Sequence, residues 1–246
     1  MEADWITPEW PAPARVRAVS TTRRGGMSRG VFSSLNLGAH VGDDATAVAE
    51  NRRRLISALG LQDGLIWLEQ VHGKEVARLT SGMVKTRADA AVTERPRTAC
   101  VVMTADCLPV LICDRVGSRI AAAHAGWRGL NAGILEATVA AMGAGASELM
   151  AWLGPAIGPR AYEVGDELRR VFIEHDPEAT KAFIPGRSAG KWWCDLYELA
   201  RQRLQSVGLS AIYGGRFCTY TDSERFFSFR RDGECGRMAT LIYKIE

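Results

Sequence analysis

The stretch Ala99-Cys-Val-Val-Met-Thr-Ala-Asp-Cys-Leu-Pro-Val-Leu-Ile-Cys113, followed after a turn by Arg119-Ile-Ala-Ala-Ala-His124, decides the fold. Its apolar runs are too short for helices and are interrupted by turn-forming residues, so they read as strands Ala99–Thr104, Leu108–Cys113 and Arg119–His124. Upstream, Leu65–Leu68, Glu75–Leu79 and Ala90–Thr93 follow the same pattern. Strands in quick succession, without a helix between each pair, argue against a doubly wound parallel sheet. Helical patterns are grouped around them. Asp43-Asp44 caps a helix running to about Leu59, with Val48, Leu55 and Ile56 on one face and Gly60 at its end. Leu130–Met142, Asp166–His175 (cut by Pro177) and Asp195–Val207 read as further helices. Val16–Thr22, Leu149–Leu153 and Met238–Ile245 read as strands, and Lys181–Lys191 as an exposed loop. The fold class expected is α+β: a single domain over residues 1–246, with mixed β-sheets flanked by helices.

The 246 residues, 47% hydrophobic and 24% charged, suit one large soluble domain and leave nothing for a disordered or fibrous reading. A net charge of +3, with arginines scattered among acids, does not indicate nucleic acid as a partner. The opening residues lack a basic leader followed by an apolar stretch, and no run of about 18 apolar residues occurs, so a cytoplasmic chain without a membrane partner is expected. Cys100, Cys107, Cys113, Cys194, Cys218 and Cys235 are spread thinly and read as reduced thiols.

Chemistry concentrates in three segments, Gln70-Val-His-Gly73, Ala105-Asp-Cys-Leu-Pro109 and His124-Ala-Gly-Trp-Arg-Gly129. Each places a His or Cys where an apolar run meets a turn, which is how strand ends hold residues toward a cleft. His72, Cys107 and His124 together offer two imidazoles and one thiolate, a set that suits zinc and leaves one tetrahedral position open for catalysis. A free cysteine is ordinarily a small buried hydrophobe, and that reading of Cys107 stands beside ligation. Asp106 orients a ligand, shuttles a proton or merely shapes the turn. Copper accepts the same donors, but four histidines in the chain are too few for a multicopper cluster.

Arg128 lies in the turn before a helix, where an anion is favoured, and Arg23 and Arg24 in the glycine-rich Arg23-Arg-Gly-Gly-Met-Ser-Arg-Gly30 offer a second anion contact. A solvated or surface-paired arginine is the ordinary alternative for each. Trp127 reads as core, and His40 and His175 as ordinary surface or structural residues.

With these residues assembled, the chain resembles the YfiH family, also called laccase-domain or polyphenol-oxidase-like proteins. The resemblance rests on Thr22 to Gly38, Glu69-Gln-Val-His-Gly73, Thr104-Ala-Asp-Cys-Leu-Pro-Val110, His124-Ala-Gly-Trp-Arg-Gly129 and Phe227-Ser-Phe-Arg-Arg-Asp-Gly233, in order along nearly the whole chain. It implies a mixed αβ sandwich similar to cytotoxic necrotising factor, a Zn2+ site (Cu2+ being the alternative) at His72, Cys107 and His124, and catalysis involving Cys107, His124 and Asp106. It further implies substrate contacts from Arg23, Arg24, Asn36 and Arg128. The reactions implied are phosphorolysis of adenosine, inosine and S-methyl-5'-thioadenosine, with adenosine deamination; purine nucleosides and phosphate are then the partners, and a homodimer is compatible. The rivals are a cysteine hydrolase using Cys107 and His124, a copper-dependent polyphenol oxidase, and a factor that edits peptidoglycan precursors.

Overall fold

The computed structural model describes residues 4–61, 65–80 and 86–245. In chain order it contains β1 (Val16–Ser20), α1 (Ala45–Leu59), β2 (Val76–Arg78), β3 (Ala90–Thr93), β4 (Cys100–Thr104), β5 (Leu108–Asp114) and β6 (Ile120–Ala125). Next come α2 (Trp127–Ala132), α3 (Ile134–Met142), β7 (Leu149–Leu153), β8 (Glu163–Gly165), α4 (Asp166–His175), β9 (Phe183–Pro185) and β10 (Lys191–Cys194). The chain closes with α5 (Leu196–Ser206), β11 (Ala211–Gly214), α6 (Phe229–Asp232) and β12 (Met238–Lys244). The sheets are mixed and the class is α+β.

A six-stranded sheet runs in the order β11-β7-β5-β6-β3-β2, parallel at its two outer pairs and antiparallel between. The antiparallel sheet β1-β12-β4 faces it. Side chains alternate across each strand. Leu108, Val110 and Ile112 of β5 and Ala121 and Ala123 of β6 pack under α3 and α5. Leu111 and Cys113, with Ile120 and Ala122, turn the other way and meet Cys100, Val102 and Ile242 of the smaller sheet. The outer face of that sheet, through Val101 and Leu241, receives Leu55 of α1 together with Leu35 and Leu37. Two sheets between two helical layers therefore bury the central strands on both sides, which is why their sequence reads as unbroken apolar runs.

Local signals explain most boundaries. The Asp44 carboxylate accepts the Thr46 and Ala47 amides to start α1, and Gly60 at φ +66 ends it; the Asp195 side chain caps α5 in the same manner. Other boundaries differ from expectation. The helix expected over Leu130–Met142 is two helices, because Gly133 at φ +91 closes α2 and opens α3, and the Gly126-Trp-Arg-Gly129 turn already belongs to α2. Leu65–Leu68 forms only an isolated bridge from Leu65 to Ala99. The supposed loop Lys181–Lys191 contains β9, which pairs with β10 in the small sheet β8-β10-β9. Among the described residues, no helix is long and apolar enough to cross a membrane.

Candidate metal centre and its cleft

Strands β5, β6, β3 and β2 lie side by side, and their pairing brings one end of each together. Pro109 is opposite His124 and Leu108 opposite Ala125, so Cys107 stands just beyond the β5 start while His124 is near the β6 end. By alternation, Cys107 has the parity of Leu111 and Cys113, and His124 that of Ile120 and Ala122. Both side chains therefore project toward the mouth between the two sheets. The loop before β2 delivers His72. The ligand atoms of His72, Cys107 and His124 all lie within 4.8 Å of one another, with Cys107 Sγ 3.9 Å from His72 Nε2 and the two imidazole centroids 4.7 Å apart.

Asp89, immediately before β3 and fully buried, organises the cluster. Its carboxylate accepts the backbone N–H groups of Val71, His72 and Gly73 at 3.1, 2.9 and 2.7 Å, and His124 Nδ1 at 2.8 Å. His72 is thereby held at φ +59, a left-handed conformation uncommon for any residue but glycine. The bond to His124 fixes the ring's orientation and leaves Nε2 to face the site, the arrangement by which second-shell carboxylates direct metal-binding histidines. Burial pushes the Asp89 carboxyl up, but the His124 ring and the Gly73 and Val71 amides outweigh it and hold it below the usual range. Asp89 was invisible to sequence reading: an acid at the start of a strand looks like an ordinary turn residue.

In the metal-free protein the same proximity makes Cys107 and His124 a thiolate–imidazolium pair. Burial raises the Cys107 thiol, but the charge of His124 and hydrogen bonds from both imidazoles bring it down to about 6. Burial lowers His124, and Cys107 with Asp89 lift it to about 9. Unfolding returns these groups to about 9.0 and 6.5 respectively. Between about pH 6.5 and 9, Cys107 makes folding more favourable as pH rises and His124 makes it less so by a similar amount, so net stability is nearly flat there. Reactivity is not flat. Alkylation of Cys107 in the metal-free protein should titrate near pH 6, well below an ordinary thiol, and saturating zinc should suppress it; titration near 9 would refute the pair.

Gly126 completes the fit. A Cβ there would lie 2.8 Å from Cys107 Sγ and 3.3 Å from His72 Cδ2, although its φ of −64° and ψ of 162° suit any residue. Gly126→Ala should therefore fold normally yet lose metal affinity by about tenfold or more, read by zinc retention against a chelator. The donor set, the fixed His124 ring and the space left at Gly126 together suit a resident metal ion.

The cluster opens into a cleft of about 390 Å³ whose wall includes His40, Arg128, Phe229 and Arg237 along with Met103 and Thr104. His40, expected to be an ordinary surface or structural residue, thus faces the cleft. Burial and the charges of Arg237 and Arg52 lower its pKa. Arg128 is exposed on the cleft wall with its guanidinium 4.8 Å from the Trp127 ring centroid. His175 lies elsewhere, in a groove with Lys74, Glu136 and Arg203.

Other expected contacts are directed away. Asp106, at φ +87, spends both carboxylate oxygens within the fold, accepting Thr219 Oγ1 at 2.6 Å and the Arg230 amide at 2.7 Å. Arg23 donates to the Ser33 and Ser223 carbonyls, and Arg24 pairs with Asp4 and Glu224. Asn36 is fully buried, binding Gly38, Asp43 and the Arg237 amide. Gln70 uses both ends of its amide on the Met103 backbone, fixing the His72 loop to β4.

Comparison with known proteins follows the same lines. A family described as multi-copper polyphenol oxidoreductase laccase matches residues 17–244. A Pseudomonas aeruginosa protein named purine nucleoside phosphorylase is 55% identical over 239 residues, covering 97% of this chain and 98% of its own. Escherichia coli YfiH, which bears the same name, is 54% identical over 241 residues and 98% of each chain. Among solved structures, a Neisseria meningitidis protein gives a TM-score of 0.94 at 47% identity over 99% of this chain and 100% of that one. YlmD from Geobacillus stearothermophilus gives 0.92 at 33% identity over 100% and 98%.

Proposed function

Because the chain belongs to the laccase-like YfiH family, we propose that it is a zinc-dependent, cytoplasmic purine nucleoside phosphorylase that also deaminates adenosine. The observation that carries the reading is the His72–Cys107–His124 cluster, held by buried Asp89 at the floor of a cleft whose rim carries Arg128 and Arg237. Such a cleft offers one cationic centre and an anion-binding rim within the reach of a nucleoside. The names of the relatives supply the substrate class.

In phosphorolysis a phosphate oxygen forms a bond to the anomeric carbon of ribose while the bond from that carbon to the purine nitrogen breaks. The electron pair leaves with the base, which takes up a proton, and ribose 1-phosphate remains. A zinc ion bound by His72, Cys107 and His124 would supply Lewis-acid stabilisation of developing negative charge and, for deamination, an activated water. The chain's own groups do the rest. Arg128, whose guanidinium forks well onto phosphate, holds the nucleophile at the cleft wall. His40, its pKa lowered by burial and then by its cationic neighbours, offers one donor and one acceptor for a sugar hydroxyl when neutral. Asp89 keeps His124 in one tautomer throughout.

The laccase description does not extend to a multicopper mechanism. Only two of the four histidines join the cluster, and the other two line the cleft wall and a separate groove. The thiolate–imidazolium pair does favour one rival, attack by Cys107 as a nucleophile. Incubating the pure protein with adenosine and phosphate and resolving adenine, inosine and hypoxanthine tests the proposal. Phosphate-dependent adenine and phosphate-independent inosine are expected, and absence of all three products would remove it.

A further inference from the structure

We propose that Phe229, backed by the Arg237 guanidinium, is the stacking surface for the purine base, and that Asp106 sets its distance from the metal centre. The inference rests on the nucleoside reading above and goes beyond it by naming how the base is gripped. Of the exposed large apolar side chains among the described residues, Phe229 alone lines the cleft that holds the cluster, with 58% of its surface free. Single exposed apolar residues are common and mean little. Phe229 differs because its backbone is pinned with unusual thoroughness.

It begins the single-turn helix α6, capped by the Ser228 hydroxyl, which accepts the Arg231 amide. The adjacent Arg230 amide donates to Asp106 Oδ2 at 2.7 Å, while Thr219 donates to Asp106 Oδ1 at 2.6 Å. Arg231 donates to the carbonyls of Thr219, Tyr220 and Phe226, fastening the turn from its other side. A carboxylate only 8% exposed, next in sequence to ligand Cys107, thus has both oxygens engaged in fixing the turn that presents an aromatic ring to solvent. Nothing in packing requires that exposure. The Arg237 guanidinium lies 5.9 Å from the Phe229 centroid and also lines the cleft. A phenyl ring beside a planar cation is a surface on which an electron-rich heterocycle stacks, whatever its exocyclic groups. The chemistry fits a site that accepts adenine and hypoxanthine alike, and Asp106 acts as a positioning residue linking the two ends of the substrate.

The test uses zinc-loaded full-length protein and 2-aminopurine riboside, whose fluorescence is quenched by stacking. Wild type should quench the probe, and Phe229→Leu, which keeps apolar bulk but removes the plane, should lose the quench. Phe229→Leu should also raise KM for inosine about tenfold, with kcat within a few-fold and zinc content unchanged, and Phe229→Tyr should restore both readouts. Asp106→Asn should raise KM with zinc retained. If Phe229→Leu binds the probe and inosine as wild type does, the stacking assignment is overturned while nucleoside turnover stands. If wild type neither quenches the probe nor turns over inosine, the nucleoside reading falls and takes this one with it.

Discussion

Cys107→Ser is expected to abolish metal retention and nucleoside turnover together, whereas Cys113→Ser leaves both near wild type. Cys107 immediately precedes β5 and Cys113 lies near its end; they share one side of the strand and differ in what surrounds them. Cys113 is fully buried in the core between the sheets, where burial and the nearby Asp114 push its thiol up to about 12. It is an inert small hydrophobe, and a hydroxyl buried there costs about 1–3 kcal/mol of stability without touching the metal centre. Cys107 lies at the cleft with two imidazoles within 4.8 Å and a thiol held near 6. A hydroxyl in its place remains protonated and is a poor ligand for zinc. Loss of an outer-shell partner already weakens metal sites by 10–100-fold, so loss of a direct ligand should cost at least about 100-fold in affinity. Zinc content after dialysis and phosphate-dependent base release from the same samples are the measurements. Equal metal loss in both variants would identify general destabilisation as the cause, and Cys107 would have to be withdrawn as a ligand.

Asp89→Ala should be the most damaging single change that touches no ligand. It strands the amides of Val71, His72 and Gly73 and the His124 ring nitrogen, all of which now share one buried carboxylate. Removing one partner of a buried charged pair costs about 3–5 kcal/mol, which in a chain of this size lowers the unfolding midpoint by on the order of 10 °C. Metal affinity should fall as well, by about 10–100-fold. Asp89→Asn separates the two effects. It keeps the volume and one oxygen but turns an NH2 group toward donors, so affinity should fall by the same order with a smaller loss of midpoint, followed by thermal unfolding with and without zinc. An Asp89→Asn protein that binds zinc as tightly as wild type would show that the carboxylate does not set the ligand geometry.

Strands β3 to β7 and β12 were legible because burial on both faces makes each of them a short apolar run, and α1 and α5 because Asp44 and Asp195 announce their starts; β10 and β11, only partly buried, were not. What escaped was whatever tertiary pairing alone creates. Strands β8 and β9 are three residues long and exist because β10 lies between them. At the site, His72, Cys107 and His124 could be picked out because each ends an apolar run at a turn. Asp89 could not, since its role depends on a parallel pairing of β2 with β3 that places the His72 loop over it. Asp106 shows the opposite limit. Its position beside Cys107 was visible, but the positive φ that aims its carboxylate at Thr219 and Arg230 was not. Arg23 and Arg24 likewise look like anion ligands until the chain around residues 223–225 folds back to receive them.

On the reading proposed above, His72, Cys107 and His124 hold one catalytic metal in a purine nucleoside enzyme. The decisive measurement strips the protein of metal and titrates zinc back while following phosphate-dependent release of hypoxanthine from inosine. Turnover should be absent at the start, rise in proportion to added zinc, and break at about one ion per chain. Full turnover by the stripped protein in the presence of a chelator would contradict the claim and leave Cys107 as a nucleophile in its own right.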